Sequence, residues 1–178
     1  NQRMENLAAG KDIDRLPAIP LMDSIAGRIA GMTHREKRTD PQRQAQAQFA
    51  CYEMFGHDGL SIEYGLHGVG HACGSQWNDP ESSVPAVTEH LLEDLDHLER
   101  LDLEAIRKEN DPWFLLHYES VQICVDRYGD EVGTSVSISG PFTAAASLYP
   151  VEQLLRAKTK SPEKVRQLSR FCTEVVKL

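Results

Sequence analysis

The sequence carries no excess of basic residues: 19 Lys and Arg stand against 27 Asp and Glu in 178 residues, a formal charge of −8 at pH 7. Without that excess a surface can neither neutralise a phosphate backbone nor draw on anionic lipid, so no nucleic-acid or membrane partner is expected. No apolar run approaches the ~20 residues that cross a bilayer. The four cysteines, Cys51, Cys73, Cys124 and Cys172, form no CxxC pair, and no secretory segment precedes them. This predicts reduced thiols in apolar surroundings and a cytoplasmic protein. Short-period repeats and low-complexity stretches are also missing. What is left, 40% hydrophobic and 26% charged, is the composition of a globular protein with one substantial core, expected as a single domain over residues 1–178.

Helix starts are the most legible feature. Asp40-Pro41, Asp111-Pro112 and Ser161-Pro162 each pair a capping side chain with proline at the first helical position, where the missing N–H is harmless. The first predicted helix carries Phe49, Tyr52 and Phe55 and stops at Gly56. The second carries Leu115, Tyr118, Val121, Val125 and Tyr128 and stops at Gly129. The third places Val165, Leu168, Phe171, Cys172 and Val175 on one face. Leu92, Leu95, Leu98 and Leu101 recur every three residues among charges, which predicts another surface helix or a pair of short helices.

Three strands are predicted: Ala18–Leu21, Gly59–Tyr64 and Thr134–Ser139, with a fourth short piece at Ser75-Gln76-Trp77. Helical stretches separate them, so a parallel, helix-covered sheet is the simplest assembly, and Trp77 to Pro85 is the clear polar loop. The third strand is the most regular, Val136 and Ile138 alternating with Ser135, Ser137 and Ser139. It runs into Gly140-Pro141-Phe142-Thr143, a turn and helix start at the strand end where α/β proteins take their ligands. Phe142 is read either as a stacking surface or as core, and Thr143 as a pocket residue or a helix cap. At the end of the second strand only one of Glu63 and Tyr64 can point inward, and Glu63 is taken as that residue.

The segment from Gly65 to Gly74 holds His67, His71 and Cys73, all zinc-ligand types. Cys73 would point away from the two histidines, and four glycines weaken the helix that would align them. The segment is therefore read as a flexible loop at a pocket mouth, with no metal site, and its glycines do not space as a dinucleotide fingerprint. His34, His57, His90, His97 and His117 show no partner at ligand spacing and are read as surface or satisfied residues.

These elements carry a resemblance. Arg3, Asp14-Arg15-Leu16-Pro17, Ala26-Gly27-Arg28, Gly140-Pro141-Phe142-Thr143 and the helix after Ser161 together resemble the uroporphyrinogen decarboxylase superfamily, which includes methyltransferases that move methyl groups from corrinoid proteins to thiols. The resemblance implies the N-terminal half of a (β/α)₈ barrel, a fold that needs roughly 250 residues. An open half barrel exposes a strand edge, so the chain is expected to be part of a longer polypeptide or to complete itself by forming homo-oligomers. The resemblance also places Arg28 where the family binds anionic groups, against the reading of a surface salt bridge, and leaves Asp23 ambiguous.

Departures from the decarboxylases are specific. Their Arg-Gln-Ala-Gly-Arg loop reads Ser24-Ile25-Ala26-Gly27-Arg28 here, losing one of two guanidinium groups. The expected aspartate falls near Gly65, unless Glu63 substitutes, and the expected tyrosine falls on Ser147. The methyltransferase branch is therefore the better match. It implies a corrinoid partner, a small-molecule acceptor and a zinc ion held by residues outside this sequence, so that the fragment alone is inactive. Uroporphyrinogen decarboxylation is the alternative enzyme reading, and a non-catalytic binding or assembly module is the third. Arg28, Glu63, Gly140, Phe142 and Thr143 are the expected substrate-binding residues.

Overall fold

A computed structural model describes residues 2–63, 65–66, 68–106 and 111–178. Tyr64 and His67, both weighed as candidates above, lie outside the described residues. In chain order the elements are α1 (Gln2–Ala8), α2 (Asp23–Ile29), α3 (His34–Thr39), α4 (Pro41–Phe55), β1 (Gly59–Glu63), α5 (Gly68–Cys73), β2 (Gln76–Trp77) and β3 (Val87–Glu89). A 3-10 helix (Leu95–Arg100) follows, then α6 (Pro112–Tyr128), β4 (Gly133–Ser137), α7 (Pro141–Leu148), α8 (Val151–Lys160) and α9 (Pro162–Lys177). Two compact units share them: residues 1–63, 80–84 and 116–137 form one, and 64–79, 85–115 and 138–178 the other. The class is α/β with parallel strands and covering helices, as expected.

In the first unit β1 and β4 pair in parallel, Gly59 opposite Gly133 and Glu63 opposite Ser137. Leu60 and Ile62 are fully buried in a core with Ala45, Cys124, Tyr128 and Val132, so this face of β1 meets α4 and α6. Strand side chains alternate, which puts Ser61 and Glu63 on the opposite face. The predicted cap of α4 is present, Asp40 Oδ1 accepting from the Arg43 N–H at 3.0 Å, and Gly56 ends the helix at φ 60°.

The predicted strand at Ala18–Leu21 does not form. Pro17 and Pro20 have no N–H to give a ladder, and the segment runs beside the start of β1 as irregular chain. Asp58 holds it instead: the carboxylate, 3% exposed, accepts from the Ala18 N–H at 2.8 Å, from Arg15 and from Arg3, and its own N–H donates to the Ala18 carbonyl at 2.8 Å. Arg3 is also bonded to Asp14, at 2.7 and 2.8 Å, which ties α1 into the same network.

The second unit is built around Leu92, Leu95, Leu148, Leu154, Leu168 and Cys172. The three-residue leucine spacing resolves as the 3-10 helix, kinked at His97, whose repeat of three residues per turn buries Leu95 and Leu98 together. Three expectations are corrected. Ser75-Gln76-Trp77 contributes β2 to an antiparallel hairpin with β3, which the sequence reading had not included, and the polar loop at 78–86 is its connection. The glycine-rich segment is not a loop but helix α5, because Gly70 packs flat against Ser147: a Cβ at Gly70 would lie 2.7 Å from the Ser147 carbonyl oxygen. Ser161 begins α9 without a side-chain capping bond, so Pro162 alone marks that start.

Two outcomes test these packing assignments. Asp58→Ala is expected to destabilise by about 2–4 kcal/mol in denaturant titration, the partly exposed arginines moderating the loss of a buried ion-pair partner. Burial raises the Asp58 carboxyl, but the Ala18 N–H, Arg15 and Arg3 outweigh it and hold its pKa below the ordinary value. The stabilisation is therefore present above about pH 4 and is lost as pH falls below it, a slope absent from the variant. Gly70→Ala should cost about 1–3 kcal/mol by overpacking, whereas Gly140→Ala, where a Cβ meets nothing within 4 Å, should shift stability by less than about 1 kcal/mol in the same assay.

Candidate functional site

The expected site residues fall in both units, Arg28 and Glu63 in the first and Gly140, Phe142 and Thr143 in the second. Within the first unit, the stretch Ser24–Arg28 is the body of helix α2 and not a loop, and no strand precedes it among the described residues. Ser24 and Arg28 stand four residues apart on one face of that helix. They line a cavity of about 640 Å³ together with Gly31, Thr33, His34 and the segment Ser82–Val84. Gly31 adopts φ 70°, the left-handed turn that brings the chain from α2 into α3.

Two elements frame the cavity. Thr33 and Glu36 form a reciprocal capping box at the start of α3, with the Glu36 N–H donating to Thr33 Oγ1 at 3.1 Å and the Thr33 N–H to Glu36 Oε2 at 2.8 Å. Arg38, 4% exposed, donates to the Pro80 carbonyl at 2.6 Å and the Ser83 carbonyl at 3.5 Å, and the Arg35 N–H donates to the Glu81 carbonyl at 3.0 Å. These bonds fix residues 80–84 as a wall. Arg38 Nη1 also meets His34 Nδ1 at 2.6 Å. A guanidinium can only donate, so His34 Nδ1 accepts and its Nε2–H is left to donate to Ser24 Oγ, 3.2 Å away. Burial and Lys37 lower the His34 pKa, in keeping with a neutral ring. Beside Met32 and Val84, which make part of the wall apolar, the cavity presents hydroxyls and a neutral imidazole around the exposed guanidinium of Arg28, which suits a single anionic group.

Glu63 stands apart from the cavity lining. It contacts Asp23, the first residue of α2. Lys37, 3% exposed, donates to the Asp23 carbonyl at 2.8 Å and pairs with the Asp23 carboxylate. Burial, then the Asp23 charge, pushes the Glu63 carboxyl up to about 7. Burial also raises Asp23, but Lys37 outweighs it and the net shift is downward. Lys37 and Arg38 were not legible as site residues, since in His34–Thr39 every position but the last is charged or histidine and nothing marks two cations as buried. The Thr33-x-x-Glu36 spacing was the readable signal for that helix.

In the second unit Gly140 caps α7 at φ −66°, so its place needs no glycine conformation, and Thr143 is exposed without a side-chain bond among those seen. Phe142 is 42% exposed, which removes its reading as core. Ser139 Oγ donates to the Gly65 carbonyl at 3.1 Å, and Gly65 takes φ 80°, so the position expected near the family aspartate is a turn glycine. His71 lies 4.8 Å from the Trp77 ring, and its Nδ1 is 3.6 Å from Asp111 Oδ2, outside hydrogen-bonding reach. Among the described residues no three His, Cys, Asp or Glu side chains gather as a metal site. His57 departs from expectation: it is buried, and neither ring nitrogen has a hydrogen-bond partner among the described residues. Burial pushes the thiols of Cys73, Cys124 and Cys172 up to about 12 and raises that of Cys51.

Comparison with known proteins identifies the family and the fold. The family described as Uroporphyrinogen decarboxylase (URO-D) matches residues 1–178. A protein named Methylcobamide:CoM methyltransferase MtaA from Methanosarcina barkeri is 25% identical over 175 residues, covering 93% of this chain and 49% of that protein. Its counterpart from Methanosarcina barkeri (strain Fusaro / DSM 804) is 24% identical over 168 residues, covering 89% and 47%. The solved structure of a methyltransferase from Methanosarcina mazei shares the fold with a TM-score of 0.78 at 22% identity, covering 97% of this chain and 52% of that one. The chain thus spans about half the length of these relatives, consistent with the partial barrel expected. No described helix is long and apolar enough to cross a membrane.

The thiol environments yield a direct test. At pH 8 in the native state, alkylation with iodoacetamide followed by intact mass is expected to leave the fully buried Cys51, Cys124 and Cys172 unmodified, while denaturant exposes all four cysteines. Rapid native labelling of any of those three would contradict the burial described.

Proposed function

We propose, from the premise that this chain belongs to the uroporphyrinogen decarboxylase family, that it is part of an enzyme moving a methyl group between a corrinoid and a thiol or other small acceptor. The support is twofold. The curated relatives are named as methylcobamide:CoM methyltransferases, and the cavity beside α2 offers one exposed guanidinium, Arg28, among the hydroxyls of Ser24, Thr33, Ser82 and Ser83. That single cation is the observation that carries the reading. A porphyrinogen with eight carboxylates needs several bidentate partners, whereas a small acceptor with one anionic group needs one.

In this reading Arg28 holds the anionic end of the acceptor by charge-assisted hydrogen bonds, and Ser24 and Thr33 take its remaining oxygens. His34, neutral and fixed by Arg38, orients Ser24. The zinc ion that the reading implies finds no ligand set among the described residues, so the role assigned here is to hold and orient the acceptor. A corrinoid protein is the proposed macromolecular partner. Within the second unit, taken by itself, Phe142 and Thr143 are exposed at the start of α7 and are proposed as ligand contacts of that unit.

Isothermal titration with a mercaptoalkane sulfonate tests the reading. Binding is expected, falling about ten- to hundredfold in Arg28→Ala, the loss of one hydrogen-bonded charge, with partial recovery in Arg28→Lys. Equal affinity of the three proteins, or no binding combined with carbon dioxide release from uroporphyrinogen, would replace methyl transfer with decarboxylation or a different ligand.

A further inference from the structure

The hydrogen bonds beside the α2 cavity run in one direction. Arg38 is nearly enclosed and donates to the Pro80 and Ser83 carbonyls, so its guanidinium is fixed on the wall formed by residues 80–84. One turn back along α3, His34 Nδ1 stands 2.6 Å from Arg38 Nη1. A guanidinium has no lone pair to offer, so that ring nitrogen accepts, and a neutral imidazole then carries its hydrogen on the other. Nε2 lies 3.2 Å from Ser24 Oγ. Ser24 Oγ therefore accepts from His34 and keeps its own hydrogen.

That hydrogen has no taker in the protein. Ser24 is the second residue of α2, so no carbonyl of the helix lies four residues before it, and its side chain makes no other hydrogen bond among the described residues. Ser24 lines the cavity together with Arg28, so the hydrogen is available to whatever binds there. With the opposite tautomer, Nδ1–H against the guanidinium, Ser24 would spend its hydrogen on Nε2 and have none for a ligand.

The ring is also held neutral. The charged groups around it are Lys37 and Arg38 from its own helix, Asp23 from α2, and Arg28, which lines the same cavity; Glu81 on the wall faces Arg35 at 3.9 Å. Three cations against one carboxylate that is already paired to Lys37 disfavour an imidazolium. Burial, then Lys37, holds the His34 pKa below its ordinary value, in agreement.

We propose that Arg38 is a positioning residue that sets the specificity of the cavity: acting through His34, it makes the Ser24 hydroxyl a hydrogen-bond donor beside Arg28, so that the pair takes an ionised oxyanion, such as a sulfonate, by two of its oxygens. This deepens the reading of Arg28 as the holder of the anionic end of the methyl acceptor, and rests on it.

The first test needs no ligand. Nitrogen-15 shifts of the imidazoles are measured in the whole chain at about pH 7.5, the His34 signals being assigned by their loss in His34→Gln. The Nε2–H form is expected in the wild type and in Arg38→Lys, which keeps a cation that only donates. Arg38→Met should give mixed tautomers and a raised midpoint on acidification. Arg38→Gln, whose amide can accept as well as donate, should also give mixed tautomers and serves if Arg38→Met does not fold. The second test is titration calorimetry with ethanesulfonate. His34→Leu, which leaves the carbonyl bonds of Arg38 in place, is expected to weaken binding about three- to tenfold, the loss of one hydrogen bond. It should have no further effect once Ser24 is alanine, because it acts through that hydroxyl. A wild-type His34 that is Nδ1–H or doubly protonated, a tautomer unmoved in the Arg38 variants, or losses that add in the Ser24→Ala background would overturn the proposal. Tautomers as expected with no binding of ethanesulfonate by the wild type would remove the reading of an anionic methyl acceptor and leave the role of Arg38 standing.

Discussion

Strand β1 has two faces of opposite chemistry, and the first unit is organised by that division. Leu60 and Ile62 bury against α4 and α6, which fixes the strand's register, because a slip of one residue would turn Ser61 and Glu63 into the apolar core. With the apolar side committed, the polar side must face the segments that precede the strand. Asp23 comes from there and is paired with Lys37. The parallel ladder to β4 repeats the pattern, Ser135 and Ser137 standing opposite Ser61 and Glu63. The placing of those polar groups is thus a consequence of how the hydrophobic residues of one five-residue strand are satisfied.

Buried charges do the remaining positioning. Asp58, Lys37 and Arg38 are each nearly enclosed, and each bonds backbone carbonyls or amides as well as side chains. Such groups contribute less to net stability than their contact lists suggest, because desolvation offsets much of the attraction. Their effect is geometric: an irregular segment without a hydrogen-bond ladder has one arrangement in which a buried ion is satisfied. The Ala18–Leu21 segment is held this way by Asp58, and residues 80–84 by Arg38. Both segments lack regular structure, and both are placed by charge.

The sequence disclosed those elements whose signals are local. Asp40-Pro41 and Asp111-Pro112 mark helices because capping and the proline constraint act within four residues, and both caps form. Gly59–Glu63 and Gly133–Ser137 were legible through alternation. Ala18–Leu21 was misread because its hydrophobicity outweighed two prolines that cannot donate. The hairpin of Gln76–Trp77 with Val87–Glu89 was missed because strands of two and three residues carry no period. At α5 the propensity cost of glycine was overridden by tertiary packing of Gly70 on Ser147. Of the candidates, Arg28 was singled out through the family resemblance and Glu63 by its place at a strand end, while Lys37 and Arg38 looked like any exposed charged helix. Burial of a cation is a property of its partners, which lie 14 and 42 residues away in the chain.

Helix α2 gives the two chemical features of the first unit a common support. Its first residue, Asp23, belongs to the ion pair with Lys37, and Ser24 and Arg28 belong to the cavity. Seven residues of helix move as a body, because their backbone hydrogen bonds resist independent displacement. Helix α2 therefore fixes the spacing between the Asp23–Lys37 ion pair and the Ser24 and Arg28 side chains of the cavity. Lys37 opposes any displacement of that helix, since it grips Asp23 at both the carboxylate and the carbonyl.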